Sequence, residues 1–270
     1  MSATAGSGES TATRARSPEP GPVPSFDLAG WRWGQARVSA AAGTIAFAVA
    51  LCAARPVPLP VLGAALAVEV LLVCLPWRVP RLDRAGFSFW AESLCGVLGP
   101  TVALAVLAAM PGPGPLARGA AWWWYLAAAG LGSALIACGG MRVRGLLTGE
   151  LSFAAGPTPR AHALAGAFCA MVGAAGEEAL FRAPVLFLPS PLSMGLLGAV
   201  AFVATHHLQP GANRRRDTRV VLTEIAAGAS LLMLTLASRS VYPAMVAHAL
   251  NNGPGIALEL QREDWKREWS

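Results

Sequence analysis

The stretch GAAGEEALFRAP, Gly173 to Pro184, places two adjacent glutamates and an arginine inside an otherwise apolar helical pattern. Glu178 and Arg182 are four residues apart, so on a helix they lie on one face and can pair. Glu177 is turned about 100° around the helix from its neighbour and points elsewhere. A charge in the middle of a bilayer costs about 2.5 to 3.5 kcal/mol on insertion scales, so this cluster indicates a functional site if the helix crosses a membrane.

The composition of the whole chain supports a membrane location. Of its 270 residues 54% are hydrophobic and 13% are charged, whereas soluble domains carry about 25% charged residues. The apolar residues form blocks long enough to cross about 30 Å of hydrocarbon as helices. The eight blocks are Val38–Ala54, Val61–Trp77, Ala91–Met110, Gly119–Gly139, Ala161–Ala183, Pro191–Leu208, Val220–Ala237 and Tyr242–Leu260.

Clusters of proline, glycine and arginine, such as RPVPLP, separate the blocks. The fold prediction is therefore an all-α polytopic membrane protein, with about eight transmembrane helices in one bundle around an intramembrane catalytic cavity. Residues 1–35 read as a disordered polar tail without the apolar core of a signal peptide. Residues 36–160 are predicted to form the first four spans. Residues 161–260 form the helices that carry the polar residues, and residues 261–270 form a cytoplasmic C-terminal tail.

The distribution of basic residues predicts the orientation. Of the 21 lysines and arginines, 17 precede the first span or follow an even-numbered span, and only Arg55, Arg118 and Arg239 lie in the other loops. Cytoplasmic loops gather Lys and Arg, so both termini are predicted to be cytoplasmic in a multi-pass plasma-membrane protein. The basic loop RRRDTR, Arg214 to Arg219, is interpreted as facing anionic lipid headgroups and not nucleic acid.

Helical spacing organises the remaining polar residues of the spans. Phe202 and His206 are four apart in AFVATHH, and His248 and Asn252 share a face in HALNN. If three helices converge, they join one carboxylate, that of Glu177, to two imidazoles and one carboxamide. Such a set can activate a water, share protons or bind a metal, and donate hydrogen bonds to a developing oxyanion.

The same residues carry a resemblance to a known family. EEALFR fits E-E-x-x-x-R, FVATH fits F-x-x-x-H and HALNN fits H-x-x-x-N, in that order on three late spans. The segment from Ala161 to Leu260 thus resembles the CPBP intramembrane proteases, which include the type II CAAX prenyl endopeptidases and the bacterial Abi-type proteins. The resemblance implies an eight-helix bundle whose polar residues line a cavity where a peptide bond is cut.

The resemblance also implies a role for each motif residue. Glu177 and His206 would activate the water, and His248 and Asn252 would stabilise the tetrahedral oxyanion. The supporting residues would hold the helix, tune the first glutamate and pack beneath the site: Glu178, Arg182 and Phe202. Three other polar residues have no motif role. The acids Glu69 and Glu224 stay unexplained, and His207 is expected to be structural.

Metal dependence stays open at this point. Glu177, His206 and His248 match the His₂Glu set of hydrolytic zinc sites, but the H-E-x-x-H helix is absent. A metal-free, glutamate-dependent hydrolysis is equally consistent with these residue types and is the preferred interpretation. No cofactor is certain, and a divalent metal such as zinc is the candidate.

The predicted function is an intramembrane endopeptidase acting on a membrane-attached protein or peptide. The alternatives are a transporter or channel that uses buried Glu and His side chains, and a non-catalytic immunity or scaffold protein of the same fold. The preference for Arg over Lys and the abundance of Ala and Gly indicate a GC-rich bacterial gene. Classical CAAX prenylation is not expected there, so the natural substrate is not identified.

Overall fold

The computed structural model describes residues 25–28, 31–74, 94–110, 119–156, 158–189, 191–208 and 218–264. It begins with an antiparallel hairpin, β1 (Ser25–Leu28) and β2 (Trp31–Gly34), in which Ser25 lies opposite Gly34. This short hairpin lies within the predicted tail 1–35, and every described element after it is helical, in agreement with the all-α prediction for the bundle. Residues 1–24, the basic loop 214–216 and residues 265–270 lie outside the described residues, so the predictions made for them stay predictions.

The rest of the described chain is helical. The α-helices are α1 (Gln35–Ala53), α2 (Pro58–Cys74), α3 (Leu98–Ala108), α4 (Trp122–Gly139), α5 (Val143–Leu147), α6 (Glu150–Ala155), α7 (Arg160–Phe181), α8 (Pro191–His206), α9 (Thr218–Ser238) and α10 (Tyr242–Asp264). Each of the eight apolar blocks overlaps one of the longer helices. The short helices α5 and α6 were not predicted, and α10 continues to Asp264, beyond the predicted start of the tail at residue 261.

Two of the described helices are long and apolar enough to cross a membrane by themselves. They are the segment His162–Phe187, which covers most of α7 and the 3₁₀ turn after it, and α9, Thr218–Ser238. The apolar stretches Val38–Ala53, Pro58–Cys74 and Pro191–His206 are shorter, and the 11 residues of α3 reach only about 16 Å at 1.5 Å per residue. The count of eight spans therefore stays a prediction.

The outer surface of the bundle is apolar. Only 28% of the apolar window of α9 is buried inside the protein, and α9 exposes Leu222, Ile225 and Met233. Leu192, Leu196 and Val200 of α8 are exposed as well. Contiguous exposed apolar surface on this scale marks contact with lipid or another apolar partner. The chain is a membrane protein.

Helix α7 occupies the centre of the packing. It contacts α10 on one side, α3 on another and α8 on a third, while α1 joins α2 to α8. One hydrophobic cluster includes Phe47 of α1, Leu66 of α2, Leu107 of α3, Phe181 of α7 and Phe202 of α8. The first four long helices and the last four therefore do not form separate cores, and α7 is held from both halves of the chain.

The end of α7 follows from its sequence. Pro184 has no N–H with which to continue the α-helical hydrogen bonds, and α7 ends at Phe181, three residues before it, with Arg182 as its C-cap. The chain continues as a 3₁₀-helix over Ala183–Phe187. This turn keeps Arg182 in the interior, where its side chain is fully buried.

Helix α4 approaches α10 closely at Gly132. A Cβ atom at this position would lie 2.8 Å from the carbonyl oxygen of Ala247 and 2.9 Å from Cβ of Leu250. Small residues at helix interfaces allow such approach in membrane proteins. Because Ala247 precedes His248, this contact also sets the position of a predicted site residue.

We expect Gly132→Ala to destabilise the protein by about 1 to 3 kcal/mol, because the added methyl group overpacks the α4–α10 interface. Gly130→Ala is the matched control, since a Cβ at Gly130 meets no atom within 4 Å and alanine favours the helix by about 0.5 to 1 kcal/mol. Thermal unfolding of the detergent-solubilised protein, followed by tryptophan fluorescence, measures both. Equal unfolding temperatures for the two variants would contradict the proposed packing role.

Candidate active site

A chain of charged and polar groups links α7 to α10. Nδ1 of His248 lies 2.8 Å from Oε1 of Glu178, and Oε2 of Glu178 lies 3.4 Å from Nε of Arg182. Glu178 and Arg182 are both fully buried, and His248 is 5% exposed. The predicted pairing of Glu178 with Arg182 on one helix face is thus present, and the tertiary structure adds His248 to it.

Aromatic rings surround the buried guanidinium group. Cζ of Arg182 lies 4.0 Å from the ring centroid of Phe202 and 5.9 Å from that of Phe181. No nitrogen of this guanidinium makes a hydrogen bond with the described residues. A cation over an aromatic face is attracted by the ring quadrupole, by about 2 kcal/mol or more when desolvated. Phe202 therefore stabilises the charge of Arg182 in the interior.

Phe202 also contacts both histidines of the site. Its ring centroid lies 4.7 Å from that of His206 and 5.7 Å from that of His248, both in edge-on arrangements. Arg182, His206 and His248 come from three different segments of the chain and meet around this one ring. Phe202 therefore packs against two of the predicted catalytic residues, His206 and His248.

Hydrogen bonds define which nitrogen of each histidine carries a proton. Nδ1 of His206 lies 2.8 Å from the carbonyl oxygen of Phe202, and a carbonyl only accepts, so Nδ1 is the donor. In the neutral ring, Nε2 then bears a lone pair. Nδ1 of His248 likewise donates to the carboxylate of Glu178, and its Nε2 lies 3.9 Å from Oε2 of Glu177.

Asn252 lies one helical turn beyond His248 on α10. Its Nδ2 donates a hydrogen bond to the carbonyl oxygen of Ala170 on α7, at 3.3 Å. This bond fixes the orientation of the amide. An amide nitrogen has two N–H groups, so one donor remains for a ligand in the cavity that Asn252 lines.

Two cavities have His206 in their walls. The smaller one, of about 20 Å³, is lined by Glu69, Glu177, Thr205 and His206 together with apolar neighbours. A cavity of about 10 to 15 Å³ holds one water molecule when polar groups line it, so this space is sized for a single water. The structure places Glu177 and His206 on the wall of this small cavity.

The larger cavity, of about 520 Å³, lies between α4, α8, α9 and α10. Its lining includes Phe202, His206, His248 and Asn252. His206 thus belongs to both cavities, and the 3.9 Å contact between His248 and Glu177 connects them as well. Of the four predicted catalytic residues, His206 thus borders both cavities, Glu177 only the small one, and His248 and Asn252 only the large one.

The structure accounts for the polar residues without a motif role. Glu224 and His207 form an interhelical pair, with 3.2 Å between Oε2 and Nε2. Glu69 accepts a hydrogen bond from the backbone N–H of Gly99 at 2.9 Å and so caps the start of α3. Thr205 was missed by the sequence analysis; its hydroxyl donates to the carbonyl oxygen of Phe202 at 2.8 Å and it lines the small cavity.

The residues considered for a metal do not form a metal-binding group. In the described part of the chain, no three His, Cys, Asp or Glu side chains are arranged so that they could hold one ion. Nε2 of His248 and Oε2 of Glu177 are 3.9 Å apart. The described residues therefore give no support to a metal held by Glu177, His206 and His248, and no reaction step is derived through a metal.

Residues 159–253 match the family described as type II CAAX prenyl endopeptidase Rce1-like. The matched segment runs from Pro159, just before α7, into α10 and supports a relation to the CAAX protease family. Neither the curated proteins nor the solved structures include a significant match to this chain.

Removing one partner of the buried ion pair should lower the free energy of unfolding. We expect Arg182→Met to destabilise the protein by about 3 to 5 kcal/mol, because it leaves Glu178 buried without its counter-charge. The double variant Glu178→Gln/Arg182→Met should recover part of this loss, since no unpaired charge remains. The measurement is a double-mutant cycle by chemical denaturation in detergent.

Glu259→Gln is the matched control for this cycle. Glu259 pairs with Arg262 three residues further along α10, and both side chains are partly exposed. Exposed pairs contribute less than about 1 kcal/mol. Similar losses for Arg182→Met and Glu259→Gln would show that the Glu178–Arg182 pair does not stabilise the fold as described.

Proposed function

We propose that the protein is an intramembrane endopeptidase that hydrolyses a peptide bond near the membrane surface in a membrane-attached protein or peptide. One observation carries the proposal. His206 lies in the wall shared by the small cavity, which contains Glu177, and the large cavity, which contains His248 and Asn252. A water and a peptide carbonyl held in these two spaces would meet beside a base and opposite hydrogen-bond donors.

The first step is the attack of water. The carboxylate of Glu177 accepts a proton from the water while the water oxygen bonds to the carbonyl carbon, and the carbonyl oxygen becomes an oxyanion. His206, whose Nδ1 donates to the carbonyl oxygen of Phe202, borders the same small cavity and confines the water beside Glu177. The two groups together hold the water and direct its oxygen toward the large cavity.

The second requirement is stabilisation of the negative charge. The remaining N–H of Asn252 and a protonated Nε2 of His248 donate to the oxyanion. The imidazolium form of His248 is favoured by the carboxylate of Glu178, 2.8 Å from Nδ1. Arg182 in turn balances Glu178, so the E-E-x-x-x-R motif supports the donor as well as the base.

The tetrahedral intermediate then breaks down. The C–N bond cleaves, its electron pair goes to the nitrogen, and the proton taken up by Glu177 moves to that nitrogen. The products are a carboxylic acid, which loses its proton to solvent, and an amine. Glu177 returns to the carboxylate, so the balance of atoms requires water alone as the second reactant.

The location of the large cavity supports cleavage near the cytoplasmic surface. Its lining includes Cys138, Gly140 and Arg219, and Arg219 donates to the carbonyl oxygen of Cys138 at the end of α4. Arg142 and Arg144 follow immediately. Basic residues gather on the cytoplasmic side, so a substrate would enter this cavity at the cytoplasmic ends of α4 and α9.

We expect Glu177→Gln to lower cleavage by about 10² to 10⁴-fold, because the amide cannot accept the proton of the water. The assay reconstitutes the protein in liposomes with a library of lipid-anchored peptides and identifies new termini by mass spectrometry. Glu259→Gln, outside both cavities, serves as the control with wild-type activity. Unchanged cleavage by Glu177→Gln contradicts the mechanism, and a complete lack of cleavage by the wild type favours a non-catalytic role.

A second substitution tests the oxyanion donors. Asn252→Asp replaces the donating amide with a carboxylate that repels the developing charge, so kcat should fall by about 10² to 10³-fold. KM should change little, because the oxyanion exists only in the transition state. Steady-state kinetics on the best peptide from the library separate the two constants. A rise in KM at constant kcat would assign Asn252 to substrate binding instead.

A further inference from the structure

Glu69 on α2 is a buried acid outside the matched segment 159–253. It is 8% exposed and lies on the wall of the small cavity together with Glu177 and His206. We infer that Glu69 is a positioning residue that holds the hydrolytic water for Glu177. This inference rests on the proposed function and extends the site to a helix in the first half of the chain.

Capping of α3 does not by itself explain a carboxyl group at this position. One oxygen, Oε2, accepts the hydrogen bond from the backbone N–H of Gly99. The side-chain oxygen of a glutamine would accept the same bond, so capping alone does not require an acid at this position. A carboxyl group has a second oxygen, and the side chain that carries it borders the water-sized cavity.

The geometry of a water between two carboxyl groups suits nucleophilic attack. Glu69 and Glu177 both line a space of about 20 Å³. A water whose two hydrogens are directed at these acceptors has its oxygen lone pairs directed away from both of them. His206 lies in the wall of this space and also in the wall of the large cavity, where the proposed carbonyl carbon lies.

The position of Glu69 is fixed relative to Glu177 by close packing of α2, α3 and α7. A side chain at Gly99 would collide with the carboxyl group of Glu69. Glycine at this position therefore leaves room for that carboxyl group beside the start of α3. A Cβ at Gly176, the residue before Glu177, would lie 2.5 Å from the carbonyl oxygen of Pro100 on α3. Glu69 is therefore attached to α3, and α3 in turn is in direct contact with the turn of α7 that presents the base.

Glu69→Gln tests the inference because it keeps the acceptor for Gly99 but removes one of the two carboxyl oxygens. We expect its unfolding temperature to match that of the wild type. We expect kcat to fall by about 10- to 100-fold with an unchanged KM, since misplacement of a reacting group lowers the rate without affecting binding of the peptide. Rates are measured where tryptophan fluorescence shows both proteins to be folded, so a change in stability does not enter the comparison.

Glu69→Met separates positioning from structure, because it removes the cap as well and should lower the unfolding temperature in addition to kcat. Wild-type kcat in Glu69→Gln combined with a lower unfolding temperature in Glu69→Met would overturn the inference and leave Glu69 as a cap of α3. A rise in KM in Glu69→Gln would overturn it too.

Glu177→Gln is assayed in parallel to distinguish the two failures. If Glu177→Gln is active, the proposed function fails. If Glu177→Gln is inactive and Glu69→Gln is fully active, only the role of Glu69 is refuted.

Discussion

The buried ion pair between Glu178 and Arg182 is the constraint on which the site depends. Both side chains are completely removed from solvent, and two charges in an apolar interior are tolerated only with compensating partners. His248 supplies a hydrogen bond to the carboxylate, and the ring of Phe202 supplies a face for the guanidinium. Satisfying these two charges brings α7, α8 and α10 to one point, where Glu177 and His206 also lie.

Hydrolysis inside a membrane requires a place for water as well as a place for a substrate. In the proposed mechanism, the two cavities that have His206 in their walls would provide them separately, one sized for a single water and one of about 520 Å³. The polar walls of the smaller cavity come from α2 as well as α7 and α8. A helix of the first half of the chain therefore contributes to this cavity, and the hydrophobic cluster that joins α1, α2 and α3 to α7 holds it there.

Much of the local structure could be predicted from the sequence. Each apolar block overlaps a long helix, because a run of apolar residues bounded by Pro, Gly and Arg has few other stable forms in lipid. The pairs at a spacing of four, Glu178 with Arg182 and Phe202 with His206, share a helix face as expected. The hairpin before α1 and the short helices α5 and α6 were not predicted, since they lie in segments without apolar periodicity.

The sequence by itself determined which residues cost free energy to bury. That free energy depends on the residue type and on the apolar residues that surround it in the chain. Only the tertiary structure decided their partners: Gly99 for Glu69, Glu224 for His207, Ala170 for Asn252. The reason is physical. A helix that is apolar on all sides has no amphipathic pattern to show which face meets a neighbour, so contacts between helices are selected by the fit of small and large side chains across the whole bundle.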